Sequence, residues 1–193
     1  MRSAPVVPFV IAVVALAARL PLYLAARPLW LDEALLAENV VDPVRGLFDP
    51  LVNLQTAPIG FLLPVQLLVR GMGYGELVLR FLPLLAGLAT VAMVWLAARR
   101  FAGDSAAAYA AGLAAVSPLL IRYSNELKPY AFDALLAACA IWLSLWAVEE
   151  LTWARWRRVI AAGSVIVFSS VPGIFLAWGV ALAALFANTA DRS

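Results

Sequence analysis

"APIGFLLPVQLLV", residues 57–69, is the stretch on which the architecture turns. Its 13 residues are apolar enough to enter a membrane. At 1.5 Å per residue they reach only about 20 Å, against a hydrocarbon core about 30 Å thick. Pro64 also interrupts the run. The stretch reads as a helix that lies in the outer interface or dips in and returns. Whether it crosses fixes the side of every later loop, and charge decides the matter. If it does not cross and the N-terminus is inside, Arg99-Arg100 and the group Arg155, Arg157, Arg158 face the cytoplasm. With Arg2 and Arg192 that places seven of the fourteen basic residues inside. If it crosses, both clusters move outside, against the positive-inside rule.

The rest of the chain is as apolar as this argument requires. Its 193 residues are 65% hydrophobic and 13% charged, with a mean hydropathy of +0.93, far outside the soluble range. The expected fold is all-α, a polytopic transmembrane helical bundle forming a single module over residues 1–193. About six spans are expected, near 5–26, 77–98, 105–122, 129–148, 157–171 and 173–188, with residues 27–76 as an outer loop carrying juxtamembrane helices. The fifth span is short and ends at Val171-Pro172-Gly173, where Pro stops a helix and Gly permits a turn. Arg2 followed by "PVVPFVIAVVALAA" has the basic start and apolar core of a secretory leader. Apolar character continues past Arg19 through "LPLYLAA", which favours a retained span. The seven Trp fall among apolar segments and their ends, as interface anchors do.

Composition narrows the chemistry. A net charge of +2 gives no case for nucleic acid. The single Cys139 offers neither an intramolecular disulfide nor a thiolate metal cluster. Histidine is absent, so imidazole acid–base chemistry and His metal sites are excluded. Carboxylates, Arg, Lys, Tyr and the backbone remain.

In the non-crossing topology the acids gather on the outer side: Asp32, Glu33, Glu38, Asp42, Asp49, Glu76, Glu126 and Asp133, eight of twelve. "DEALLAENVVDPVRGLF", residues 32–48, reads as an amphipathic helix. Leu35, Leu36, Val40 and Val41 lie on one side, with Glu33, Glu38 and Asp42 elsewhere on the wheel. Asp-Pro at 42–43 and 49–50 marks turns.

Four sites carry groups capable of chemistry. Asp32-Glu33 comes first. Asp32 is a natural helix N-cap and Glu33 suits the helix dipole, but capping needs one acid, and a neighbouring pair suits a general base or a cation site. The second is "RYSNELKPYAFDALL", residues 122–136, at the outer end of one span and the start of the next. Pro129 suits the first turn of the new helix, which places Asp133 just inside the apolar region. An ionisable group there is costly and marks function by default. Lys128 and Arg122 are its obvious partners, Glu126 falls in the loop, and Tyr123 and Tyr130 suit interface anchors as well as ligand contacts. Third, Arg80 in "GELVLRFLPLLAG", residues 75–87, either snorkels to the headgroups or faces the bundle and neutralises an anion. Arg19 carries the same two readings. Fourth, Gln55 and Thr56 in "NLQTAPIGFLLPVQ" offer neutral hydrogen-bonding groups before the short helix. Together these define an outer-face cavity with acids in the loops and cations at the top of the bundle. That combination suits chemistry on a lipid-linked anion.

In order and spacing, "LWLDEALLAEN", "QTAPIGFLL", "ELVLRFLPLLAG", "LAARRFAG" and "SPLLIRYSNELKPYAFDALL" resemble the GT-C class of membrane glycosyltransferases. The class includes protein mannosyltransferases, aminoarabinose transferases and lipopolysaccharide galacturonosyltransferases. The pattern is most similar to the last, a bacterial subgroup, and runs from about residue 10 to 185. The resemblance implies a polytopic enzyme of the bacterial inner membrane with an extracytoplasmic active face. It implies a polyprenyl-phosphate-linked sugar as donor and an envelope glycan, lipid or protein as acceptor. Asp32 matches the first-loop catalytic Asp, with Glu33 its usual neighbour. Asp133 matches the second-loop acid, Glu126 belongs to the "ELKPY" element, and Arg80 matches the Arg of an RxxP-like element. Two departures stand out. Thr56-Ala57-Pro58 replaces a basic residue and paired prolines, and such enzymes continue with further spans, so the chain reads as an N-terminal part.

The expected chemistry is inverting transfer. Asp32 takes the acceptor proton, and Arg80, Lys128 or Arg19 stabilises the leaving lipid phosphate. Glu33, Glu126, Asp133, Tyr130 and Gln55 orient sugar or acceptor, or the acids hold a divalent ion; the metal is unassigned. The competing reading is a non-catalytic lipid-handling protein or an inactive remnant that needs a partner.

Overall fold

The computed structural model describes residues 6–41, 50–150 and 152–170, with 172, 173, 175 and 179. Among these every regular element is a helix: α1 Val6–Leu24, α2 Leu31–Val41, a 3-10 turn Val52–Leu54, α3 Ile59–Met72, α4 Glu76–Val116, α5 Pro118–Tyr123, α6 Tyr130–Val148 and α7 Trp153–Ser169. The polar residues 42 and 49, the termini bearing Arg2 and Arg192, and most of the segment 173–188 lie outside the described residues.

Among the described residues three helices are long and apolar enough to cross a membrane by length and composition: α1, α4 and α6 over Tyr130–Ala147. Among the described residues the expected count of six is not confirmed. The expected spans 77–98 and 105–122 fall on the two arms of the 41-residue α4. That helix breaks at Gly103, whose φ of 84° lies in the left-handed region that side chains disfavour. There the chain doubles back. Val91 and Trp95 of the first arm (76–102) share one core with Ala107, Ala111, Ala114 and Ala115 of the second (104–116), and Ala15 of α1 completes it. A run of Ala lets these backbones approach closely, as small residues do in membrane bundles. The expected span 157–171 falls on α7, which at 17 residues is not among the helices that qualify.

α3 stays at one end of the bundle. The Phe61 ring packs against Phe132, at the start of α6, with centroids 6.1 Å apart. The helix ends at Met72, just before α4 begins at Glu76. Both ends of α3 therefore sit by helix starts at the same end of the bundle, consistent with its 14-residue length. Pro64 lies inside the helix without stopping it. Phe61, Leu62 and Val65 face a core made with Leu36, Ala37 and Val40 of α2, Leu79 of α4 and Leu127 of the α5–α6 hairpin. At the opposite end Arg100 pairs with Glu149 and Arg155 with Glu150.

One detail of α2 departs from the wheel reading. Glu33 is 2% exposed and shares the stripe 33, 36, 37, 40 with the buried Leu36, Ala37 and Val40. The i, i+3, i+4, i+7 spacing places it there. Sorting α2 by polarity alone put it on the wrong face, because burial is settled by a partner 47 residues away.

Candidate active site

The helix start at α2 divides two neighbouring acids between two jobs. Trp30 occupies the N-cap position, its carbonyl accepting from the Ala34 N–H at 2.8 Å. Glu33, three residues on, reaches back and accepts the Trp30 N–H at 3.0 Å. This is the return half of a capping box. Capping thus falls to Glu33, where the sequence suggested Asp32.

Glu33 also accepts three further bonds. Arg80 Nε and Nη2 donate to its two oxygens at 3.0 and 2.7 Å, and the Leu127 N–H donates at 2.6 Å. Arg80, 4% exposed, spends its remaining reach on the linker before α2, donating to the Arg27 carbonyl at 2.6 Å and more weakly to that of Pro28 at 3.4 Å. Burial works against the Glu33 anion. The hydrogen bonds from Arg80, Leu127 and Trp30, with the Arg80 charge, outweigh it and hold the carboxyl below its ordinary value. A buried pair persists only with such complete hydrogen bonding. Glu33 and Arg80 therefore clamp α2, α4 and the hairpin tip together.

Asp32 is left free by this division. Its side chain is 72% exposed, and Lys128 Nζ stands 3.8 Å from Oδ2. Lys128 Nζ also lies 3.5 Å from Gln55 Oε1. Gln55 is placed by a pinned loop. Asn39 accepts the Val52 N–H at 2.8 Å, and Asn53 donates to Glu38 at 2.6 Å from the left-handed conformation that Asn tolerates. Asn39 and Asn53 escaped the sequence reading, since an isolated Asn in a helix or turn gives no signal of its partner.

The other expected residues stand elsewhere. Glu126 accepts from Arg122 Nε at 2.7 Å, an i, i+4 pair. The Tyr130 ring lies 4.7 Å from that of Tyr123. Asp133 sits in the first turn of α6, within reach of Ser170, with Oδ1 enclosed and unpartnered. Arg19 is fully buried, donating to Ser124 Oγ at 3.1 Å and to the carbonyls of Ala15, Ala114 and Ala115. It bolts α1 to the end of α4's second arm. A Cβ on Gly87 would overlap Ser124 Oγ, so glycine is required beside this bolt.

A helical bundle with helices able to cross a membrane fits the family comparison. The family model for dolichyl-phosphate-mannose-protein mannosyltransferase matches residues 57–193, well over half of the chain. The chain belongs to the dolichyl-phosphate-mannose-protein mannosyltransferase family. This is a GT-C glycosyltransferase family. No curated protein and no solved structure matches the chain significantly.

The mannosyltransferase match includes Arg80, Lys128 and Asp133 but begins after Asp32, Glu33 and Gln55. The first half of the site rests on its geometry and on the resemblance at 29–39. Among the described residues no group of three or more Cys, Asp or Glu is placed to hold a metal ion. Glu33, adjacent to Asp32 in sequence, has both oxygens occupied by N–H donors. These described residues do not fit a divalent ion.

Proposed function

We propose that this chain carries the base and the donor-phosphate contact of an inverting glycosyltransferase. The donor is a polyprenyl-phosphate sugar, for which the family name suggests mannose. The acceptor is an envelope glycan, lipid or protein hydroxyl on the extracytoplasmic side of a bacterial inner membrane. The observation that carries the reading is the approach of exposed Asp32 to Lys128 at 3.8 Å, beside a fully bonded Glu33.

Asp32 accepts the acceptor's hydroxyl proton as that oxygen bonds to the anomeric carbon. The bond from that carbon to the phosphate oxygen breaks on the opposite face, and its electron pair leaves with the lipid phosphate. Phosphate leaves without protonation, so a cation suffices to stabilise it. Lys128 suits this role better than Arg80 or Arg19, because its ammonium reaches the exposed Asp32 while both guanidiniums are enclosed. Gln55 shares the Lys128 head and orients it. Arg80 acts at one remove, holding Glu33 and through it the hairpin.

The test is transfer from polyprenyl-phosphate mannose by the reconstituted chain. Asp32→Asn abolishes transfer and leaves donor binding intact; Lys128→Met weakens donor binding. Donor binding with no transfer in the unaltered chain would instead favour the lipid-handling reading.

A further inference from the structure

The basic end of the bundle holds a feature that the glycosyl-transfer site does not use. Five arginines meet three acids there. Arg99 pairs with Asp104 at 2.8 Å, Arg100 with Glu149, and Arg155 with Glu150 at 2.6 Å. Arg155 also donates to the Trp146 carbonyl at 2.8 Å, which fixes it at the end of α6. Arg157 and Arg158 have no carboxylate partner among the described residues, and both are exposed. Arg158 lies over the Trp146 ring, 5.7 Å from its centroid, with Arg155 at 4.8 Å from the same ring. A ring orients a cation without neutralising it. The Arg158 charge is held in place and remains available to an anion.

The remaining turns of α7 set the ligand's shape. Residues 157, 160, 161, 164, 165 and 168 recur at helical spacing on one face, and all are exposed. After Arg157 that face is apolar: Ile160 is 58% exposed, Val165 62% and Phe168 62%. Ser164 does not break it, since its hydroxyl donates back to the Ile160 carbonyl at 3.0 Å. Val159 and Ile166 are buried, so this stripe is a second side of the helix, unpartnered among the described residues. From Arg157 to Phe168 the rise is about 16 Å, close to half of a hydrocarbon core about 30 Å thick. Two unneutralised cations at the head of an apolar stripe one leaflet long have the dimensions and charge of an anionic phospholipid.

We propose that α7 binds one anionic phospholipid, its phosphodiester on Arg157 and Arg158 and an acyl chain along Ile160, Ala161, Val165 and Phe168. The site lies at the opposite end from Asp32 and stands whether or not the glycosyl-transfer reading holds. Its test is native mass spectrometry of the full chain, extracted from vesicles of equal phosphatidylglycerol and phosphatidylcholine. The expected result is one retained phosphatidylglycerol, preferred about tenfold over phosphatidylcholine, with the preference lost in Arg157→Gln/Arg158→Gln. Equal retention of the two lipids overturns the proposal. So does retention of neither. Thermal unfolding of the unaltered chain gives a reading independent of whether the variant folds. Phosphatidylglycerol raises Tm by a few degrees, and inorganic phosphate does not. An equal rise with phosphate alone makes the site a bare anion site and overturns the lipid assignment.

Discussion

Glu33 Oε1 accepts the Leu127 N–H at 2.6 Å, and this bond between α2 and the α5–α6 hairpin joins two segments 94 residues apart. Because the bonded residues are neighbours of Asp32 and Lys128, the clamp sets the distance between those two as well. A buried carboxylate thereby positions an exposed one, and the two adjacent acids have separable roles.

The first consequence is that Asp32 is dispensable for folding. Its pair with Lys128 is exposed on the Asp32 side, and such pairs are worth about 0–1 kcal/mol. Asp32→Asn is expected to leave Tm within a degree or two while transfer falls by about 10²–10⁴-fold, the range of general base catalysis. Paired measurement of Tm and transfer rate checks this. Transfer at the unaltered rate removes Asp32 as the base.

Glu33→Gln is expected to do the reverse. Removing one partner of a buried ion pair costs about 3–5 kcal/mol, and the hairpin loses its anchor. Glu33→Leu with Arg80→Met together recover much of that stability, since an apolar pair of similar size avoids leaving one charge alone. They do not recover transfer, because Leu127 then has no acceptor. Chemical denaturation in detergent, alongside activity, reads both. A double variant with full transfer would show that the clamp does not position the site.

The depressed Glu33 carboxyl also fixes a pH dependence. Its folded value lies below the ordinary 4.5, so the unfolded chain binds more protons in the interval between them. Its stabilising contribution is complete above about pH 5 and is lost as pH falls through the folded value. The Tm difference between the unaltered chain and Glu33→Gln is therefore flat from pH 8 to 5 and shrinks below that. A difference that instead grows on acidification contradicts the sign.

Gly103 is expected to be the one glycine of α4 that resists alanine on backbone grounds. Holding a side chain at its φ of 84° costs about 1–3 kcal/mol. Gly112→Ala, which meets nothing within 4 Å, gains up to about 1 kcal/mol in helix propensity. Denaturation midpoints of the two variants separate them.

The placement of α3 has a labelling test. In a Cys139→Ala background, Leu54→Cys, 99% exposed, and Tyr74→Cys, 60% exposed, flank α3, and Phe101→Cys, 78% exposed, marks the far end. An impermeant thiol reagent should reach positions 54 and 74 from one side of sealed vesicles and position 101 from the other. Labelling of 54 and 74 from opposite sides would falsify a helix that stays at one end.

Several features are legible in the chain alone, because each depends on a short run of it. α1, α4 and α6 are recognisable by long apolar composition, and the break at Gly103 falls between the expected spans 77–98 and 105–122. The length of α3 already marks it as short for a crossing, and the order of motifs pointed to the glycosyltransferase class that the family match supports. Less local features were misread or missed. The burial of Glu33 on α2 and the pinning of the loop before Gln55 by Asn39 depend on neighbours distant in sequence.

By itself the sequence determined a helical membrane bundle with most acids in the loops at one end and the arginine clusters at the other, since hydropathy and helix rise are sums over adjacent residues. Only the tertiary structure decided which acid is which. Asp32 and Glu33 are equivalent as letters. One is exposed and the other enclosed because Arg80 and the Leu127 N–H, 47 and 94 residues further along, converge on Glu33 alone. Electrostatic and hydrogen-bond energies depend on distance through space, and no local pattern encodes that convergence.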